Sequence, residues 1–209
     1  LRNLGNLGKH KLLTPFSEGE KHVKDALNGE QFAKAKPHPV SILLAMGQYA
    51  TGHGLKGSGT WEVNPRITEA LNEALVRSFR HGEATGKRVV LALDVSGSMQ
   101  APCSTAQAFS CWNVGLVLAN AMRSVEKDSL ALRFDTQADT LDFTRNHTSL
   151  GSLAVANQGT DCSAPFRYCK DRNIPADLFV IFTDNETWAG KTHPCVAFEE
   201  YRAKVNPKA

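Results

Sequence analysis

The sequence predicts an α/β domain built on a doubly wound, mostly parallel sheet, preceded by a short all-α segment. Three observations carry this. Residues 88–95 and 176–183 are β-prone and apolar almost without interruption, the signature of strands buried on both faces of a parallel sheet. After residue 87, stretches with apolar residues at helical spacing alternate with strands, as βαβ units require. Before residue 82 the readable periodicity is helical.

From the N-terminus, residues 1–30 mix glycine, lysine and short apolar pairs, and read as one or two short helices too small to make a core of their own. Residues 40–46 are apolar on more than one face, so the helix over 39–50 packs on several sides, and Gly52, Gly54, Gly57 and Gly59 end it. Asn64-Pro65 is a helix start with proline in the first turn, and Ile67, Leu71, Leu75 and Phe79 at spacing four predict an amphipathic helix to about Arg80. The polar linker 82–87 divides the chain into domains of residues 1–82 and 83–209. Beyond it come a strand at 88–95, a crossover helix at 113–125, a strand at 129–134 and a shorter one at 140–143 suited to an antiparallel edge. Helices at 148–156 and 163–171, the strand at 176–183 and a helix at 193–204 complete the pattern.

At 209 residues the chain has room for one good-sized domain plus an appendage. Its 42% hydrophobic and 22% charged residues suit a soluble globular protein rather than a disordered or fibrous one. A net charge of +3 does not announce a nucleic-acid binder, so any phosphate-binding patch must be local. No stretch approaches the ~20 apolar residues of a membrane span, and the N-terminus lacks the apolar segment of a signal peptide. Cys103, Cys111, Cys162, Cys169 and Cys195 are odd in number and lack CxxC spacing. They suit reduced thiols in a cytoplasmic protein and read as small, buried apolar residues.

In doubly wound sheets ligands collect at the carboxyl ends of strands, where the strand order reverses. Asp94 closes one predicted buried strand and Asp184 follows another. In Leu93-Asp94-Val95-Ser96-Gly97-Ser98 a carboxylate and two hydroxyls alternate along a turn that Gly97 lets fold tightly. Every donor is an oxygen, which selects Mg²⁺, Mn²⁺ or Ca²⁺ over zinc or copper, with Mg²⁺ the first choice. One carboxylate among neutral hydroxyls leaves such an ion with waters and an open position for an acidic group from a protein partner. Thr160 and Asp184, from other turns, would complete the shell.

Asp161 or Thr160 is the candidate cap of the helix that follows, and Asp161 alternatively an acceptor behind the metal ligands. Glu186 reads as a surface carboxylate. Lys9, His10, Lys11, Lys34, Lys36 and His38 read as a solvated basic face, with phosphate contact the alternative. His53 reads as a turn residue. Trp61, Trp112 and Trp188 read as core or loop anchors.

Two enzyme readings lose ground on spacing, and the aspartate-dependent phosphohydrolase stays as the least favoured alternative. An aspartate-nucleophile phosphohydrolase would need a second acid two residues after Asp94, where Ser96 stands. A serine-hydrolase elbow would need Gly-x-Ser-x-Gly, and Val95-Ser96-Gly97-Ser98-Met99 does not supply it.

The set Asp94-x-Ser96-x-Ser98, Thr160 and Asp184 resembles the metal-ion-dependent adhesion site of von Willebrand factor A domains. That resemblance implies a Rossmann-like A domain in which these residues form the metal shell, with Asn185 standing where the commoner pattern has glycine. Residues 49–57, Trp61, residues 85–88, 159–163 and 175–177, and the turn Phe182-Thr183-Asp184-Asn185-Glu186-Thr187 are in turn similar to the Ro 60-kDa autoantigen family, whose own turn accounts for Asn185. The similarity runs over most of residues 39–205. It implies a noncatalytic ribonucleoprotein component in which a ring of helical repeats, the TROVE module, is joined to an A domain. The ring would bind small noncoding Y RNAs on its outer surface and take the single-stranded ends of misfolded RNAs through its hole. Residues 1–82 would be its last helices, and the A domain would continue beyond Ala209. No residue here matches an RNA-contact motif. The competing reading is an adhesion or assembly A domain that holds a protein partner through the metal without RNA.

Overall fold

The described residues of this computed structural model, 1–54, 59–103, 106–141, 159–184 and 187–209, begin with helices α1 (Leu4–Lys9), α2 (Glu18–Asn28), α3 (Glu30–Ala35), α4 (Pro39–Ala50) and α5 (Pro65–Ser78). Strand β1 (Val89–Asp94), helix α6 (Cys111–Val125), strands β2 (Ser129–Phe134) and β3 (Ala138–Thr140), helix α7 (Ala164–Asp171), strand β4 (Leu178–Phe182) and helix α8 (Pro194–Lys204) follow. Two short strands, Pro102–Cys103 and Ala106–Ser110, precede α6 and had no signature in the sequence. Residues 1–81 make up most of one compact unit, and residues 82–103 and 109–209 most of a second.

In the helical unit, local chemistry sets the helix starts. The Ser17 hydroxyl accepts from the Glu20 N–H at 3.1 Å at the start of α2, and the Asn64 side chain accepts from the Arg66 N–H at 3.0 Å at the start of α5. Pro65 occupies the first turn of α5, as predicted. The stripe Ile67, Leu71 and Leu75 is buried, and α5 packs against α2 and α4. The helix ends at Ser78 and tightens into a 3₁₀ turn at Phe79–His81 rather than running on to Arg80. The first 30 residues thus cover α5 instead of forming a core alone. Helix α3 went unpredicted because none of its residues is buried, so it carries no apolar stripe to read.

One buried acid ties this unit together. Glu20 is 3% exposed, and its Oε2 accepts from the Phe16 N–H at 2.8 Å and from Asn64 Nδ2 at 3.0 Å. Its Oε1 accepts from Arg66 Nε at 2.6 Å, while Asn64 Nδ2 also donates to the Leu13 carbonyl at 2.9 Å. The Arg66 guanidinium above all, then the Asn64 amide, hold the Glu20 carboxyl at a pKa of about 2.

In the second unit β1 is buried along its whole length. It runs parallel to β2 on one side and β4 on the other, with Asp94 opposite Phe134 and Leu93 opposite Phe182. β3 pairs antiparallel with the outer side of β2, so the sheet order is β3-β2-β1-β4. The expected edge strand is therefore present but lies at Ala138–Thr140, two residues early. Residues 142–143 and the helix expected over 148–156 fall outside the described residues.

Alternate residues pack on opposite faces. Val90, Ala92, Leu132 and Phe134 meet Ala164, Phe166 and Cys169 of α7 and Ala197 and Tyr201 of α8. Leu93 and Ala131 meet Met99 and Trp112, Leu116 and Ala119 of α6. Helices on both faces make the sheet doubly wound, as predicted. β4 departs from expectation in being half-buried at every residue, because among the described residues it pairs only with β1. α6 starts two residues early because Ser110 and Asn113 cap it reciprocally, each side chain accepting the other's N–H at 3.2 Å.

At the opposite end of the sheet from the strands' carboxyl ends, the Arg88 backbone N–H and Nε donate to Asp177 Oδ2 at 3.0 and 2.9 Å, and its Nη2 donates to Oδ1 at 2.5 Å. This clamp joins the starts of β1 and β4. It holds the Asp177 carboxyl far below the usual carboxylate range. The Tyr201 hydroxyl accepts from the Ala176 N–H at 2.7 Å and donates to the Ile174 carbonyl at 3.0 Å.

The cysteines depart from the sequence reading. Only Cys169 is buried, Cys103, Cys111 and Cys162 are partly exposed, and Cys195 is exposed. Among the described residues no helix is long and apolar enough to cross a membrane.

Two predictions follow from these networks. Because the folded pKa of Glu20 lies below its ordinary 4.5, protonation favours the unfolded chain. The stabilisation is full above pH 4.5 and is lost as the pH falls towards about 2. Glu20→Gln should flatten that part of the acid-unfolding curve of the helical unit, followed by far-ultraviolet circular dichroism. An unchanged curve would contradict the network's role. Tyr201→Phe should destabilise the α/β unit by about 1–3 kcal/mol in urea unfolding, since the buried Ala176 N–H loses its acceptor.

Candidate metal centre

Asp94 ends β1, fully buried. Its Oδ1 accepts from the Ser96 N–H at 2.8 Å, an Asx turn that reverses the chain, and its Oδ2 accepts from the Thr183 hydroxyl at 2.8 Å. Gly97–Gln100 then forms a 3₁₀ turn anchored by buried Met99. The turn brings Ser96 Oγ and Ser98 Oγ within 3.1 Å of each other, with Ser96 buried and Ser98 facing solvent. The first loop thus presents a carboxylate and two hydroxyls at the surface end of a buried strand.

Two further loops meet it. Asp184 follows β4, the strand beside β1, so the two acids stand at neighbouring strand ends. Thr160 is fully buried. Its loop is fixed by the Asp161 N–H donating to the Asp135 carbonyl at 2.8 Å, and by the Trp188 and Ala189 N–H groups donating to the Thr160 carbonyl at 3.1 and 3.0 Å. The Cys162 N–H donates to Thr187 Oγ1 at 3.2 Å. Burial raises the Cys162 thiol's pKa, hydrogen bonds with Thr187 and Thr183 oppose the rise, and the Asp94 carboxylate adds to it. The loops after β1 and β4 and the loop before α7 therefore share one corner.

Two glycines permit this closeness. A Cβ on Gly159 would lie 2.7 Å from the Trp188 ring, and one on Gly190, whose φ is +92°, would lie 2.3 Å from the Asp161 carboxylate.

The polar atoms at this corner are incompletely satisfied. Thr160 Oγ1 and Asp184 Oδ1 are buried and, among the described residues, have no hydrogen-bond partner. Such atoms are rare, and each points to a missing ligand or water. Burial pushes the Asp94 carboxyl up, hydrogen bonds from Ser96 and Thr183 oppose this, and the Asp184 carboxylate adds to the rise. Among the described residues neither acid is in an ion pair, so nothing there offsets the negative charge. Among the same residues no cluster of three or more histidines, cysteines, aspartates and glutamates gathers. The donors are carboxylates and hydroxyls, a set fit for a hard divalent cation.

Of the residues singled out in the sequence, Asp94, Ser96 and Ser98 form one loop, and Thr160 and Asp184 supply the orphaned oxygens. Thr183, whose hydroxyl fixes Asp94, was missed although it adjoins Asp184. Neither Asp161 nor Thr160 caps α7, whose capping position is held by Ser163. The Asp161 Oδ1 accepts from the Ser163 N–H and hydroxyl at 2.9 and 2.5 Å, and its Oδ2 pairs with Arg167 Nη2 at 2.8 Å, so that carboxylate is committed to the turn before α7. Trp112 is buried, and Trp61 is anchored through its Nε1 donating to the Tyr49 carbonyl at 2.9 Å. Trp188 is 71% exposed. Glu186 and Asn185 lie outside the described residues.

Residues 88–209 match the family model of the Ro60 vWA domain. The RNA-binding protein RO60 of Deinococcus radiodurans is 35% identical over 98% of this chain and 40% of its own length. The RNA-binding protein RO60 of Caenorhabditis elegans is 36% identical over 86% of the chain and 28% of its own length. The crystal structure of the Deinococcus radiodurans RO (RSR) protein superposes with a TM-score of 0.87 at 35% identity, over 98% of this chain and 42% of that one. The chain therefore spans about two fifths or less of the length of these relatives. Through the α/β unit that carries the three-loop corner, it belongs to the Ro60 family.

Proposed function

We propose that this chain is part of a noncatalytic, RNA-binding ribonucleoprotein component of the Ro type, acting in the cytoplasm on small noncoding RNAs such as Y RNAs and misfolded transcripts. The observation that carries the RNA reading is the 35% identity, over 98% of the chain, to a relative named as an RNA-binding protein. In this reading residues 1–82 are the closing helices of a helical-repeat ring that takes the RNA. The exposed side chains of Lys9, Lys11 and Lys36 supply local positive charge, with Lys34 beside them paired to Glu30.

In the A domain, Asp94, Ser96, Ser98, Thr160 and Asp184 would hold a divalent cation, Mg²⁺ in the cell. The orphaned Thr160 Oγ1 and Asp184 Oδ1 carry this reading. Bound there, the ion supplies positive charge and an open coordination position for an acidic group of a protein partner. The chain's own residues do the rest: Ser96 and Thr183 fix the Asp94 carboxylate, and the Thr160 loop is pinned by the backbone of Trp188 and Ala189. Ser96 stands where a phosphohydrolase would need its acid, so Asp94 serves as ligand and not as nucleophile.

The metal reading predicts that Asp94→Ala weakens Mn²⁺ binding by about tenfold or more in titration calorimetry. Equal binding by parent and variant would refute the assignment. The RNA reading predicts that the full-length protein retards a structured RNA with a single-stranded 3′ end, with affinity falling steeply as salt rises. No retardation at low salt would leave the protein-docking reading of the A domain in its place.

A further inference from the structure

Trp188 is 71% exposed, yet its position is fixed. Its backbone N–H donates to the Thr160 carbonyl at 3.1 Å, and the next N–H, of Ala189, donates to the same oxygen at 3.0 Å. The six-membered edge of its indole lies on Gly159, where a Cβ would stand 2.7 Å from the ring. On one side Thr187 receives the Cys162 N–H at 3.2 Å. On the other, Gly190 sits against the buried Asp161 carboxylate so closely that only glycine fits. The Asp161 carboxylate is itself held by Ser163 and Arg167. A large apolar ring thus stands mostly in solvent on a backbone pinned by two hydrogen bonds, its inner edge against Gly159, the residue before buried Thr160. The core does not need it there. Rigid, exposed aromatics of this kind act as binding anchors, since little side-chain freedom is lost when a partner covers them.

We infer that Trp188 is a specificity-determining residue of the metal corner, selecting a protein segment in which the acid that reaches the cation is flanked by an apolar side chain. This rests on the metal reading above. Charge favours a peptide acid over a nucleic-acid backbone. The Asp94 and Asp184 carboxylates together cancel a divalent charge, which leaves an open coordination position without the excess positive field that a string of phosphates requires. Arg167 is spent on Asp161, which leaves exposed Lys191, three residues after Trp188, as the loop's other cation. A single carboxylate from a partner meets the ion while its neighbour lies across the indole.

The test uses the full-length protein in Mg²⁺ and fluorescein-labelled peptides of one frame carrying Leu-Glu-Leu, Ser-Glu-Ser or Leu-Gln-Leu, read by anisotropy. Leu-Glu-Leu should bind best, lose affinity on chelation, and bind Trp188→Ala about tenfold or more weakly than the parent. Trp188→Phe should retain most of the affinity. Mn²⁺ binding, followed by electron paramagnetic resonance, should be the same in all three proteins. Equal binding of Leu-Glu-Leu and Ser-Glu-Ser, or equal binding by parent and Trp188→Ala, overturns the inference and leaves the metal reading standing if Mn²⁺ still binds. Loss of Mn²⁺ binding by the parent overturns the metal reading itself. An oligouridylate that binds in a Mg²⁺- and Trp188-dependent way while the peptides do not would assign the indole to base stacking and overturn the peptide proposal.

Discussion

The structure turns on a carboxylate buried at the end of a strand that is itself buried on both faces. Asp94 has no exposed surface of its own, because β2 lies beside it, β4 borders the residue before it and helices cover both sides of the sheet. A buried carboxylate is costly unless hydrogen-bonded and neutralised. The Ser96 N–H and the Thr183 hydroxyl meet the first need. Asp184, one strand over, makes the second more pressing, because its charge adds to that of Asp94. The three loops share one corner that carries two acids, and on the metal reading proposed above the hydroxyls of Ser96, Ser98 and Thr160 would give a cation neutral oxygens beside them.

The sheet explains why these loops meet. The chain leaves β1 through α6 to β2, then crosses back to place β4 on the other side of β1. That reversal opens a crevice at the carboxyl ends of β1 and β4. At the other end the Arg88–Asp177 clamp ties the same two strands together, so the register that puts Leu93 beside Phe182 is held at both ends. The local close approaches at Gly159 and Gly190 then bring the Thr160 loop and the Trp188 segment together above the crevice.

The parts legible in the sequence were those set by burial or by local capping. β1 and β4 could be read as strands because continuous apolar runs leave little choice of conformation. The start of α5 could be read from Asn64-Pro65. The corner itself was legible in part, because Asp94 and Asp184 could be placed at the carboxyl ends of two strands that the structure sets side by side. What stayed hidden depends on contacts between distant residues or lacks a pattern. α3 buries nothing, and the half-burial of β4 has no signature separate from that of a fully buried strand. Asp161 looked like a cap because its neighbours are cap-formers, but the side chain of Arg167, one turn into α7, claims it. The exposure of Trp188 follows from the loop packing on Gly159, which composition does not encode.

If the account is right, one cation joins all three loops. Diffraction from a crystal of the protein soaked in Mn²⁺ tests this directly. The account predicts an anomalous peak within about 2.3 Å of oxygens from Asp94 and Ser96 or Ser98, with Thr160 and Asp184 bound directly or through water. A strong peak elsewhere in the α/β unit, with this corner filled only by ordinary water, would contradict it.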